Sequence, residues 1–162
     1  MPPEAIVEVV VEIPENSQNK YEYDHRRGVF RLDRVLHSAV HYPADYGFVP
    51  DTLAEDGDPL DALVLLSIPT FPGCHVEARV LGCLEMSDEK GRDVKLLGAA
   101  VADPHMVHLR GLDDVPPSTL RLLEHFFATY KQLEGKAVSV GAWSGPAVAL
   151  RLLAEARARA RC

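Results

Sequence analysis

Asp56-Gly57-Asp58-Pro59-Leu60-Asp61-Ala62-Leu63-Val64-Leu65-Leu66 sets an acidic turn directly against an unbroken apolar run. Gly57 and Pro59 are turn formers, and the run after Asp61 has the length and composition of a buried strand. Three carboxylates within six residues repel one another unless a cation lies between them. Oxygen donors of this kind suit Mg²⁺ or Mn²⁺ better than zinc. An EF-hand is excluded by register, because Leu60, Asp61 and Ser67 stand where its third ligand, its glycine and its closing glutamate belong. Taken by itself, the stretch also fits a solvated surface turn.

Outward from this turn the chain alternates. In residues 5–13, Val7, Val9, Val11 and Ile13 share one face and Ile6, Glu8, Val10 and Glu12 the other, which predicts a strand. Residues 20–24 place Lys20, Glu22 and Asp24 opposite Tyr21 and Tyr23, Gly28 marks a turn, and 29–36 reads as the returning strand. Further strands are expected at 61–68, 74–86 and 94–102, the last two joined by a polar turn at 87–93. Ser118 is the expected N-cap of a helix whose apolar stripe (Leu120, Leu122, Leu123, Phe126, Phe127, Tyr130) runs to Gly135. A second helix starts near Ser144, with Pro146 in its first turn and Arg157, Arg159 and Arg161 at its favourable C-terminal end. There is no repeat, low-complexity segment or linker. Short strands followed by helices give an α+β, mainly β fold: a small barrel or sheet with helices packed on it.

The 162 residues, 47% hydrophobic and 25% charged, suit a single domain spanning 1–162. A net charge of −7 argues against a groove that tracks nucleic acid and against adhesion to anionic membranes. No apolar run approaches the roughly 18 residues that span a bilayer, and Met1-Pro2-Pro3-Glu4 lacks the basic stretch and apolar core of a signal peptide. Cys74, Cys83 and Cys162 show no CxxC spacing, so neither a disulfide framework nor a zinc knuckle is expected. The expectation is a cytoplasmic protein without nucleic-acid or membrane partners. The negative charge is concentrated: six acids and no Lys or Arg lie between Asp45 and Asp61. Tyr46, Phe48, Val49, Leu53 and Leu60 among them oppose disorder.

Other residues acquire meaning from where they point. Asp88 and Asp93 bracket the 87–93 turn, and a strand starting there would turn Asp93, Lys95 and Leu97 to one side; alone, this is an ordinary hairpin loop. Arg34 falls on the face of Phe30, Leu32 and Leu36 and needs a partner, either a protein carboxylate or a bound phosphate. Lys20 and Glu22, two apart on one strand, can hold a phosphate and a metal side by side. Tyr130 closes the helical stripe, and Lys131 lies at its edge. The seven histidines show no HxxxH or HExxH spacing, and GxSxG, P-loop and GxGxxG motifs are missing.

Together these pieces resemble the family I soluble inorganic pyrophosphatases of the bacterial type. The signature-like Asp56–Asp61 segment is joined, in family order, by Val11-Glu12-Ile13-Pro14, Asn19-Lys20-Tyr21-Glu22, Leu32-Asp33-Arg34 and Tyr42-Pro43-Ala44-Asp45-Tyr46-Gly47-Phe48. Asp88-Glu89 through Asp93 and Lys95, and His125-Phe126-Phe127 through Tyr130-Lys131, continue the set. The resemblance extends over roughly residues 6–145 and departs from the family only at His25-Arg26, at Lys90-Gly91-Arg92 and in 103–114.

The resemblance implies an OB-like five-stranded β-barrel with flanking C-terminal helices. It also implies hydrolysis of inorganic pyrophosphate to two orthophosphates by in-line attack of a Mg²⁺-activated water, without a covalent intermediate. Several Mg²⁺ ions per site are implied, with Mn²⁺ or Zn²⁺ as substitutes, and a homohexamer. Asp56, Asp61 and Asp93 resemble ligands of a tight metal pair, Asp88 completes a further site, and Glu12 and Glu22 resemble outer metal contacts. Lys20, Arg34, Tyr46, Lys95, Tyr130 and Lys131 resemble the phosphate grips. Asp58 resembles the base that takes the proton from water, with Asp93 as its rival. Two other readings are a metal-dependent phosphohydrolase acting on nucleotides and a non-catalytic OB-type binding module. The first lacks a base-stacking segment beside the acids, and the second lacks aromatics in a basic groove.

Overall fold

Strand β1 (Ile6–Ile13) leads into a hairpin of β2 (Asn19–Asp24) and β3 (Val29–Val35), then β4 (Asp45–Phe48), β5 (Asp61–Leu65), β6 (His75–Asp88) and β7 (Gly91–Ala100). Helix α1 (Pro117–Thr129), strand β8 (Ser139–Ser144) and helix α2 (Pro146–Ala160) complete the order. This computed structural model describes residues 5–162, so Met1-Pro2-Pro3-Glu4 lies outside the described residues. Pairing runs β1-β4-β5-β7-β6 and returns from β6 to β1, closing five strands into a barrel that β8 extends from β6. Among the described residues only β5 and β7 pair in parallel. The expected OB-like five-stranded barrel with helices is the observed architecture, and its closure removes open sheet edges from the ring.

Two β-bulges change what simple alternation predicts. Val11 pairs with Gly47 and Ile13 with Tyr46, leaving Glu12 as the extra residue. The bulge turns Ile13 away from the face of Val7, Val9 and Val11, so it packs in a different apolar cluster. In the hairpin, Lys20 faces Arg34 while Tyr21 faces Leu32, and Asp33 is the extra residue. Arg34 therefore does not share an apolar face with Phe30 and Leu32, and Leu32 is exposed.

The two clusters lie on opposite faces of the barrel wall, since adjacent residues such as Leu63 and Val64, or Leu96 and Leu97, sort into different ones. Ala149, Leu152, Leu153 and Ala156 of α2 complete one; Leu123, Phe126 and Phe127 of α1, with Tyr130, complete the other. Burial of these side chains supplies the main stabilisation, about 1.5–3 kcal/mol for each large aliphatic or aromatic group.

Several element boundaries differ from expectation. Pro116 caps α1 and Pro117 opens it, so Ser118 sits inside the first turn. A proline at the first helical position loses only an N–H that would be unbonded there. The helix ends at Thr129, and a separate 3-10 turn over Gln132–Glu134 is closed by Gly135 at φ 71°. Leu122 points outward. The polar turn after β6 is only Glu89-Lys90, because both flanking strands reach further into it. Strands β4 and β8 were not expected. Gly47 is what lets β4 lie against β1: a Cβ there would come 1.9 Å from the Val10 carbonyl oxygen. Among the described residues no helix is long and apolar enough to cross a membrane.

Candidate active site

The barrel register builds the centre of the site. Parallel pairing sets Asp61, at the start of β5, beside Lys95 on β7. Asp93, two residues before Lys95, faces the same way, as expected for one strand face. Tyr46 comes from β4, the neighbour of β5. The Lys95 ammonium lies 2.8 Å from the Tyr46 hydroxyl, 2.8 Å from Asp61 Oδ2 and 2.9 Å from Asp93 Oδ2. An ammonium has three N–H donors, and three oxygens surround this one.

Lys95 is only 2% exposed. Burial alone would push its pKa down, but Asp61, Tyr46 and Asp93 overcome this and hold it well above the ordinary lysine value. Burial raises the Asp93 carboxyl, against the pull of Lys95 and with added repulsion from Asp61. Tyr46 is raised well above the ordinary phenol value and Tyr130 to about 12, both mainly by burial, so both hydroxyls keep their protons as donors at neutral pH.

Around this centre opens a cavity of about 190 Å³. Asp56 and Asp58 reach it from the turn before β5, Asp61 from the first residue of β5, and Asp88, Asp93 and Lys95 from the β6–β7 hairpin. Lys20 and Glu22 of β2, bulged Glu12 of β1, and Tyr130 and Lys131 after α1 close it. The fold gathers side chains that run from Glu12 to Lys131 in the sequence. Seven acids and four lysines thus share one cavity. Glu12 Oε2 accepts the Tyr23 N–H at 2.9 Å. Its carboxyl is pushed up to about 7, chiefly by burial, with repulsion from Asp61 and Glu22 outweighing the pull of Lys20. Asp56 is also raised by burial, and the Asp58 N–H donates to its Oδ1 at 3.0 Å. The Asp58 carboxylate itself is exposed in the cavity and enters no ion pair among the described residues.

Of the expected site residues, Arg34 alone does not line the cavity. Its partners are protein carboxylates: Nη1 lies 2.7 Å from Asp33 Oδ2 and Nε 2.9 Å from Glu134 Oε1. Asp33, squeezed out of register, also holds Lys20 Nζ at 3.1 Å, so one carboxylate joins both cations. Arg34 Nη2 is buried without a hydrogen-bond partner. Lys131 Nζ lies 3.8 Å from Asp88 Oδ2, and burial lowers its pKa. His25, Tyr23, Phe48 and Lys90 also line the cavity and had no expected role. Only the fold brings them there; His25 and Lys90 stand where the sequence departs from the family pattern.

The donor set fits hard divalent cations, since carboxylate oxygens dominate and no thiolate or imidazole cluster competes. Among the described residues no three such groups converge into a finished cage. Asp61 and Asp93 instead meet on Lys95, which holds two like charges together as an internal counter-ion.

The whole chain, not the site alone, is similar to known proteins. Residues 9–161 match the family model described as inorganic pyrophosphatase. The inorganic pyrophosphatase of Geobacillus stearothermophilus is 51% identical over 154 residues, covering 95% of this chain and 93% of its own length. That of Methanosarcina acetivorans is 52% identical over 151 residues, with 93% and 90% covered. The crystal structure of inorganic pyrophosphatase from Thermus thermophilus superposes with a TM-score of 0.96 at 46% identity, over 100% of this chain and 95% of that one.

Proposed function

The chain belongs to the inorganic pyrophosphatase family and hydrolyses pyrophosphate to two orthophosphates, and on that premise we propose how its residues divide the work. Asp56, Asp61 and Asp93 would hold a close pair of divalent cations, Asp88 a further one, and Glu12 and Glu22 the outer contacts. Mg²⁺ is the natural occupant for such oxygen donors, with Mn²⁺ or Zn²⁺ as substitutes. Bound there, the cations supply charge neutralisation of the pyrophosphate oxygens and acidify water near them.

The chain's own groups do the rest. Lys20, Lys131 and the Tyr46 and Tyr130 hydroxyls donate to phosphate oxygens and orient the phosphoryl group for in-line attack. Lys95 holds Asp61 and Asp93 in place and adds its charge to the basic lining that faces the substrate. Arg34 acts from behind Lys20, with Nη2 the donor it has left to give. The Asp58 carboxylate takes the proton from the attacking water, and no covalent intermediate forms. The observation that carries this assignment is the contrast between the two rivals: Asp93 is held by Lys95, whereas Asp58 faces the cavity with no ion-pair partner among the described residues.

The same reading makes 1–162 a single domain working in the cytoplasm as a homohexamer, without nucleic-acid or membrane partners. Ile68 and Phe71, 74% and 64% exposed, are apolar surface that such an assembly would cover. The test is phosphate release from pyrophosphate and from ATP, each with Mg²⁺ and with chelator. Release from pyrophosphate that stops with chelator is expected. Chelator-insensitive release, or preference for ATP, would overturn the assignment.

A further inference from the structure

The lysines of the cavity are not equivalent. Lys20 is held by Asp33, Lys95 by Asp61 and Asp93, and Lys131 lies 3.8 Å from Asp88. Lys90 also lines the cavity, and among the described residues no carboxylate oxygen lies within ion-pairing distance of its ammonium. It sits on the two-residue turn between β6 and β7, which the Asp88 carboxylate braces by accepting the Lys90 N–H at 2.8 Å. Gly91, at φ 113°, completes the turn. Its neighbour Arg92 is engaged elsewhere, with Glu85 and Glu55. Lys90 is exposed, so its charge costs little to keep in water and projects from the rim.

We propose that Lys90 is a further substrate-binding residue, the cation at the cavity rim that first engages incoming pyrophosphate. The inference rests on the pyrophosphatase reading of the cavity. Each other lysine must give up or share a carboxylate before it can meet a phosphate oxygen, whereas Lys90 meets one without breaking any pair. An exposed cation at the mouth of a cavity with excess acid also acts before docking, by raising the local field felt by a polyanion. Its effect therefore falls on capture more than on the chemical step, and salt screens it over a Debye length of about 10 Å at 0.1 M.

Lys90→Ala, Lys90→Arg and Lys90→Glu are compared with wild type for kcat and KM on pyrophosphate with Mg²⁺, across ionic strength. Arg27→Ala serves as control, because Arg27 is an exposed cation that does not line the cavity. Binding of inorganic phosphate by calorimetry gives a readout independent of turnover. The expected result is a loss of kcat/KM of roughly 3- to 10-fold in Lys90→Ala, the size of about 1 kcal/mol. The loss is larger in Lys90→Glu, restored in Lys90→Arg, absent in Arg27→Ala, and shrinks with salt alongside weaker phosphate binding. An active wild type with unchanged kcat/KM and phosphate affinity in Lys90→Ala overturns the role of Lys90 and leaves the enzyme assignment standing. A wild type inert toward pyrophosphate overturns both.

Discussion

Glu12 makes the charge of the site measurable as stability. Its carboxyl is pushed up to about 7 from the ordinary 4.5, mainly by burial in the bulge of β1. The folded protein therefore binds this proton more tightly than the unfolded chain. Below about pH 4.5 both states carry the proton, and Glu12 costs nothing. As pH rises from 4.5 through 7 the unfolded chain releases it first, and the penalty on the folded state grows; above 7 it is complete. At about 1.36 kcal/mol per pKa unit, the full penalty is roughly 3 kcal/mol in the metal-free protein. Glu12→Gln removes the charge and keeps an oxygen to accept the Tyr23 N–H, which Glu12 receives at 2.9 Å. In chelator at pH 8 the variant is expected to be more stable than wild type by up to about 3 kcal/mol, and at pH 4.5 the difference should vanish. Urea unfolding at fixed protein concentration across that range measures both. Adding Mg²⁺ should reverse the order, because cations that bind only the folded state stabilise wild type more than a variant lacking one of their ligands. A variant no more stable than wild type at pH 8 in chelator, or a difference independent of pH, would refute the account.

Two further outcomes follow from the same geometry. Asp58→Asn should lower kcat by two to four orders of magnitude, the usual worth of a general base, while calorimetric Mg²⁺ binding stays near that of wild type; near-normal turnover would transfer the role to Asp93. Lys95→Met should destabilise the metal-free protein by about 3–5 kcal/mol in urea, because Asp61 and Asp93 would then repel each other without the ammonium between them. Recovery of much of that loss at pH 4 or below, where carboxylates protonate, would identify repulsion as the cause.

The charge pattern looks different once folded. Summed over the chain, the excess of acid, −7, opposes contact with nucleic acid and anionic membranes. Seven of the acids line one cavity, where an acidic chain becomes a receptor for cations and, through them, for a polyanion.

Strongly alternating barrel strands, both helices and the acids of the cavity are legible in the sequence alone. The basic lining is legible only in part: Arg34 stays outside it and Lys90 enters it unannounced. The legible residues lie in local patterns: the Asp56–Asp61 turn, the Asp93-Lys95 spacing and the apolar stripe ending at Tyr130. Packing in three dimensions supplies what alternation cannot encode. A bulge costs one residue of register and leaves no mark in a hydrophobic pattern, yet bulges aim Glu12 and set Asp33 between Lys20 and Arg34. Strand β4 is invisible locally because its pairing depends on a distant backbone, which Gly47 alone lets approach. The four-way meeting of Tyr46, Asp61, Asp93 and Lys95 arises only when β4, β5 and β7 pair side by side, and the Arg34–Glu134 contact only when the post-helix turn packs on the β2–β3 hairpin. Residue types and local spacing are sequence properties; which charges neutralise one another is settled by register and closure.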